Sequence, residues 1–316
     1  MTSTPIAAGD DRPAAWRVWW RLARPFSLTA SIVPVLVGGS LAFATGDLRS
    51  PSLFVAMLVA SVLIQIATNM FNEYFDFRHG LDTPETVGIA GAIVRGHVPA
   101  AQVFWAAVAC LVLALGLGLA IVARTSLAVL VAGVASALAG FLYTGGPLPI
   151  AYTPLGEVEV FLFMGPMIVG LAYFIQAGTL SAGALWASIP IGCLVAAILL
   201  ANNLRDVVAD GKVGRHTVPV TFGRWTGLAL YAALFVAAYV TNVAAVVAGQ
   251  LPVTALFPIV LVGVPPKLVR LFVSTEDPRA LNAAVRGSAQ LHARFGLLFA
   301  LGIAVGPLIG WRTPVL

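Results

Sequence analysis

The chain has 316 residues, of which 59% are hydrophobic and only 10% charged, whereas soluble domains carry about 25% charged residues. So little charge cannot cover a water-facing surface, which excludes an ordinary soluble domain and makes the bilayer the main solvent. The net charge of +5 is split among separate loops, so it forms no stripe for nucleic acid.

Residues 1–26 contain Asp10, Asp11 and four arginines with no apolar core before Ser27, so no cleavable signal peptide is expected. Trp16, Arg17, Trp19, Trp20, Arg21 and Arg24 predict a short helix lying at the membrane interface, because indole rings favour the headgroup level and arginine favours anionic lipid. Residues 27–316 then read as a single transmembrane domain. A helix needs about 20 mostly apolar residues to cross the hydrocarbon. Nine stretches qualify: 27–45, 52–71, 101–122, 126–143, 157–176, 184–203, 224–248, 253–273 and 291–310. They are continuously apolar rather than alternating, which predicts helices and not a barrel. With the N-terminus in the cytoplasm, all 18 Lys and Arg except Arg49, Arg124 and Arg312 fall on the cytoplasmic side, as the positive-inside rule favours. Cys110 and Cys193 lie inside apolar runs and read as small buried residues.

The acids are placed selectively. Glu73, Asp76, Asp82 and Glu85 follow the second span, and Asp206 and Asp210 follow the sixth. Asn72 precedes Asp76 by four positions, Asn202 precedes Asp206 by four, and Asp210 follows by four again, so each motif lines an amide and a carboxylate along one helical face. The matched placement suggests a duplicated four-helix unit. Ionisable groups near membrane depth are costly and usually face a cavity, and carboxylates held together repel unless cations intervene. Hard oxygen donors suit Mg²⁺. Arg78, Arg205, Lys212 and Arg215 stand among the acids, a mixture that points to a metal–diphosphate complex, since Arg forks onto phosphate oxygens. Asp82 lies beyond Gly80, so its position depends on a turn.

Other polar sites carry weaker signals. His79, His97, His216 and His292 lack metal-ligand spacing, although His79 and His216 lie within the motif segments. The segment Tyr143–Pro149 forces a turn near the motifs, either as plain punctuation or as a substrate-binding loop. Glu157 and Glu159 enter the fifth span, where the helix dipole favours acids. The loop 82–99 is long enough to act as a lid, and 274–290 reads as a second long cytoplasmic loop without a motif.

At these residues the chain resembles the UbiA superfamily of membrane prenyltransferases, most closely its MenA-type 1,4-dihydroxy-2-naphthoate branch. Arg24-Pro25, Ala30-Ser31 and Val33 to Gly38 resemble the family's opening. Asn72 to Arg78 with Gly80 and Asp82 resembles its first Asp motif, Tyr143 to Thr153 with Gly156-Glu157 its following loop, and Asn202 to Asp206 with Asp210, Gly214 and Thr217 its second Asp motif. The interval from Asp76 to Asp82 and the Tyr143 loop favour the naphthoate branch, whereas the 4-hydroxybenzoate branch often has an acid where Gly80 stands. Two departures occur: Glu73 stands where the family often has Asp, and Arg215-His216 where the branch often has Lys-Arg.

The resemblance implies an all-α integral membrane bundle of about nine helices around a central cavity open to the cytoplasm and to lipid, in a bacterial cell membrane. It implies two Mg²⁺ ions held by Asn72, Asp76, Asp82, Asp206 and Asp210, with Asp76 and Asp206 catalytic. It further implies diphosphate contacts from Arg24, Arg78, Arg205, Lys212 and Arg215, and substrate contacts from Asn202, Asn203 and Tyr143. The reaction implied is transfer of a polyprenyl group from its diphosphate to dihydroxynaphthoate with loss of the carboxylate, as in menaquinone synthesis. Other acceptors (homogentisate, 4-hydroxybenzoate, a porphyrin, a sugar phosphate) remain alternatives within the superfamily. Ion-coupled transport by the same carboxylates is the alternative of another class.

Overall fold

The apolar runs fold as helices, since a helix satisfies its own backbone groups where no water can. The computed structural model describes residues 13–80, 91–147 and 149–312; Asp82 and Glu85 lie outside these residues. The helices are α1 (Ala15–Ala23), α2 (Thr29–Ala44), α3 (Pro51–Arg78), α4 (Ala100–Val122), α5 (Leu127–Thr144), α6 (Gly156–Leu162), α7 (Ile168–Ala177), α8 (Ala182–Lys212), α9 (Val218–Phe222), α10 (Arg224–Val247), α11 (Val264–Ser274) and α12 (Pro278–Val305). No strand occurs among the described residues. Among the described residues eight helical spans are long and apolar enough to cross a membrane, and α2 joined to the preceding segment across a 51° bend makes a ninth.

Helix α8 is the axis. It packs against α2, α6, α7, α10 and α12, and around it Leu194, Leu200, Leu204, Tyr231, Phe295 and Phe299 form the main core. Helices α1, α3 and α4 form a second cluster, in which Val18 and Leu22 of α1 bury against Ala67, Met70 and Phe71. The opposite face of α1 exposes Trp16 and Trp20, so the expected amphipathic helix is present. Pro166 lies in a π-helical segment, Phe163–Met167, that joins α6 to α7. Here the backbones of α7's lead-in and α8 touch: a Cβ on Gly165 would lie 2.7 Å from Gly192 Cα and 2.9 Å from Ser188 O. Backbone atoms cannot retreat as a side-chain tip can, and small residues are what permit such crossings in membranes. Gly165→Ala should therefore cost about 1–3 kcal/mol, visible as a lower Tm in detergent; an unchanged Tm would contradict this packing.

Three boundaries differ from the sequence expectation, each for a local reason. Helices α3 and α8 continue past their apolar runs, to Arg78 and Lys212, and end where Gly80 (φ +69°) and Gly214 (φ +74°) adopt a conformation that favours glycine. The motif residues are thus helical, as their spacing requires. The presumed loop 274–290 is corrected: it is mostly the first half of α12, which starts at Pro278. Asp277 caps it, accepting from the N–H groups of Arg279 (3.2 Å) and Ala280 (3.1 Å).

Candidate active site

The C-terminal ends of α3 and α8 carry the two motifs to one end of the bundle. The polar cluster there is organised by Arg215, just beyond α8. Its Nη2 donates to Asp76 Oδ1 on α3 at 3.0 Å, and its Nη1 donates to Asp210 Oδ1 on α8 at 3.5 Å. One guanidinium therefore joins the two motifs. Its position is fixed from below by the Tyr152 ring, whose centroid lies 5.0 Å away, a cation–π contact. The His216 N–H donates to the Tyr152 carbonyl at 2.9 Å, which clamps the loop after α8 onto the loop after α5. Burial works against the Arg215 cation, but Asp76 and Asp210 outweigh it and raise its pKa. Burial likewise raises the Tyr152 phenol.

Arg205 and Asp206 form a different arrangement. Arg205 Nε donates to Asp206 Oδ1 at 2.8 Å and its Nη2 takes Oδ2, while Nη1 reaches Asn282 on α12 at 2.9 Å. Both Asp206 oxygens are thus engaged by its own neighbour. Arg78 and Lys212 are exposed at the ends of α3 and α8.

Glu73 is buried, although it sits in the first motif. Its carboxylate accepts from the N–H groups of Gly91 (3.2 Å), Ala92 (2.6 Å) and Ile93 (3.4 Å), and Arg24 approaches it at 3.7 Å. Glu73 is thereby an anchor for the chain leading into α4. Arg24 is the one non-glycine residue among those described with a positive φ, at +50°. Such a conformation costs about 1–3 kcal/mol and persists where its surroundings impose it. Asn69 imposes it, donating to Ala23 O and Ser27 Oγ, both at 2.9 Å. This corner aims Arg24 at the motif end.

Below the cluster lies a cavity of about 300 Å³, walled by α2, α3, α4, α5, α6, α7 and α8. Asn72, Asn202, Tyr143, Gln65 and Glu159 are among its lining, which is otherwise mostly apolar. Asn72 Oδ1 accepts from Thr144 Oγ1 at 2.7 Å and keeps a second lone pair. The Asn202 amide donates to Ile198 O at 3.0 Å, and that of Asn203 donates to Glu157 Oε1 at 2.8 Å. Asn203 thus links α8 to α6 and does not line the cavity. Gln65 and Glu159 join the site without a sequence expectation of this kind, whereas Thr144 and Tyr152 lie in the Tyr143–Thr153 stretch that carries the resemblance.

The donors fit a divalent cation. Asp76 and Asp210 share one guanidinium, so the triad keeps an excess negative charge. Two carboxylates held by one guanidinium suit Mg²⁺, which commonly takes one or two carboxylates and completes its shell with phosphate and water.

The chain is similar to several known proteins. Residues 31–295 match the UbiA prenyltransferase family. The chain is 41% identical over 310 residues to the 1,4-dihydroxy-2-naphthoate octaprenyltransferase of Bacillus subtilis (strain 168), covering 96% of this chain and 99% of that one. The apo structure of a UbiA homolog from Aeropyrum pernix K1 shares the fold with TM-score 0.65 and 18% identity, over 88% of this chain and 97% of that one. So does a UbiA homolog from Archaeoglobus fulgidus bound to DMAPP and Mg²⁺, with TM-score 0.56 and 16% identity, over 90% and 99%.

Proposed function

This chain belongs to the UbiA prenyltransferase family, and on that premise we propose that it transfers a polyprenyl group from polyprenyl diphosphate to 1,4-dihydroxy-2-naphthoate with loss of the carboxylate. The observation that carries the reading is Arg215 bonded to both Asp76 and Asp210 beside an apolar cavity.

Asp76 and Asp210 would form the core of a cation site, with Asn72, Asp82 and Asp206 as further oxygen donors for two Mg²⁺ ions. When bound there, Mg²⁺ would supply charge neutralisation for the departing diphosphate. Arg215, Arg24, Arg78, Arg205 and Lys212 supply the donors for the diphosphate oxygens, with Arg215 the best placed because it already stands between the motifs. As the C–O bond to the prenyl group breaks, its electron pair leaves with the diphosphate. The cavity walls keep water from the allylic cation. The ring carbon that carries the carboxylate forms the new C–C bond, and carbon dioxide leaves. Tyr143 and Asn202 line the place where the ring reacts, and Asn203 holds α6 against α8. The site faces the cytoplasm in a bacterial inner membrane, with α1 at the interface, as the distribution of Lys and Arg favours.

The test is an assay of purified protein with Mg²⁺, a polyprenyl diphosphate and a panel of aromatic acids, with products identified by mass. Prenylated, decarboxylated naphthoquinol is expected. Excess chelator should abolish it and Mg²⁺ restore it. Wild-type rates in chelator would overturn the metal assignment, and prenylation of a different acid alone would overturn the acceptor.

A further inference from the structure

Two polar atoms at the cavity have no partner among the described residues: Gln65 Oε1, in the middle of α3, and Glu159 Oε2, near the start of α6. The second is the more costly, because a buried carboxylate oxygen without a donor forfeits its hydration. Glu159 also forms no ion pair among the described residues, unlike Glu73, Asp76, Asp206 and Asp210. The dipole of a seven-residue helix explains an acid at this position but not its facing the cavity.

Its neighbour suggests what it meets. Glu159 follows Gly156 by three positions, so both lie on one face of α6. Tyr143 leans over that face: a Cβ at Gly156 would lie 3.8 Å from the Tyr143 ring and 3.9 Å from its hydroxyl. An aromatic surface and a carboxylate with a spare lone pair thus adjoin on the cavity wall, near Asn72 and Asn202. An aromatic ring bearing a hydroxyl complements both.

We propose that Glu159 accepts the hydrogen of a ring hydroxyl on the aromatic acceptor and acts as its general base, with Tyr143 as the wall behind the ring. This rests on the prenyl-transfer reading. The proton passes to Glu159 from the 1-hydroxyl, ortho to the carbon that carries the carboxylate, as that carbon bonds to the prenyl carbon and the 1-oxygen becomes a carbonyl. Loss of carbon dioxide returns an electron pair to the ring, the oxygen becomes an oxyanion, and the proton returns to it from Glu159. No net proton is consumed at this residue.

The experiment compares the wild type with Glu159→Gln and Glu159→Asp, using Mg²⁺, geranyl diphosphate, and either 1,4-dihydroxy-2-naphthoate or its 1-methoxy and 4-methoxy ethers. Glu159→Gln should lower kcat for the dihydroxy acid about 100-fold. It should leave Tm and the KM for geranyl diphosphate unchanged, and erase the preference for the free hydroxyl over the matching ether. Glu159→Asp, with the carboxylate on a shorter arm, should fall between. Undiminished turnover and preference in Glu159→Gln would overturn the role of Glu159 and leave prenyl transfer standing. So would a loss of activity that follows a fall in Tm or weaker donor binding in both variants. A wild-type protein that prenylates none of the three acceptors overturns both.

Discussion

Asp76→Asn is expected to lower turnover about 1,000-fold in a protein that still folds. Asn has the shape of Asp and its Oδ1 can still accept from Arg215, at 3.0 Å in the wild type. What changes is charge. With two carboxylates around one guanidinium the cluster retains a negative excess that draws a cation. With one carboxylate it is neutral, and the main driving force to hold a divalent ion beside Arg215 is lost. Asp210→Asn should behave alike, because Asp210 is the other arm of the same contact. The checks are single-turnover rates and a Mg²⁺ titration, with circular dichroism as the folding control. Retention of a tenth of wild-type turnover at saturating Mg²⁺ would remove Asp76 from the cation site.

Arg215→Ala should lower turnover about 100-fold and also destabilise the protein, by about 1–3 kcal/mol. Only 20% of the Asp76 side chain and 8% of the Asp210 side chain are accessible. Removing their shared cation leaves two half-desolvated carboxylates facing each other, a loss that reaches 3–5 kcal/mol for a fully buried pair and is reduced here by solvent. The diagnostic is linkage: Mg²⁺ should raise the Tm of Arg215→Ala more than that of the wild type, because the ion replaces the missing charge in the folded state alone. An equal rise in both proteins would show that Arg215 and the cation do not share these carboxylates. Arg215→Lys should recover stability better than turnover, since lysine restores the charge but not the fork or the stack on Tyr152.

Much of this was legible in the sequence because it depends on local periodicity. The spans followed from apolar runs, and the alignment of Asn72 with Asp76, and of Asn202 with Asp206 and Asp210, followed from a four-residue spacing. The first half of α12 was legible too, in Asp277-Pro278, but apolar length gives no weight to a polar helix that precedes a span. What escaped depends on which partner each side chain finds across the fold. Arg205 and Asp206 engage each other although they are adjacent in the chain, and Glu73 turns to the backbone of Gly91–Ile93 instead of the cluster. Glu159 reads as a dipole-stabilising residue until the packing of Tyr143 over Gly156 shows which face of α6 meets the cavity. Asp82, beyond the turn at Gly80, rests on resemblance and lies outside the described residues.

The outer wall of the cavity has a consequence for the donor. Leu115 of α4 and Val134 of α5 line the cavity, and each is more than two-fifths accessible. The cavity is thus not sealed by tightly packed side chains on the α4–α5 side. A space of about 300 Å³ is at the small end of ligand pockets, too small to enclose an isoprenoid of many units. On the prenyl-transfer reading, a long tail would extend past the α4–α5 side among lipid acyl chains, where each further unit gains the same solvation whatever the total. A cavity of this size would then offer no measure of donor length, and the length of the product's tail would follow the diphosphate supplied.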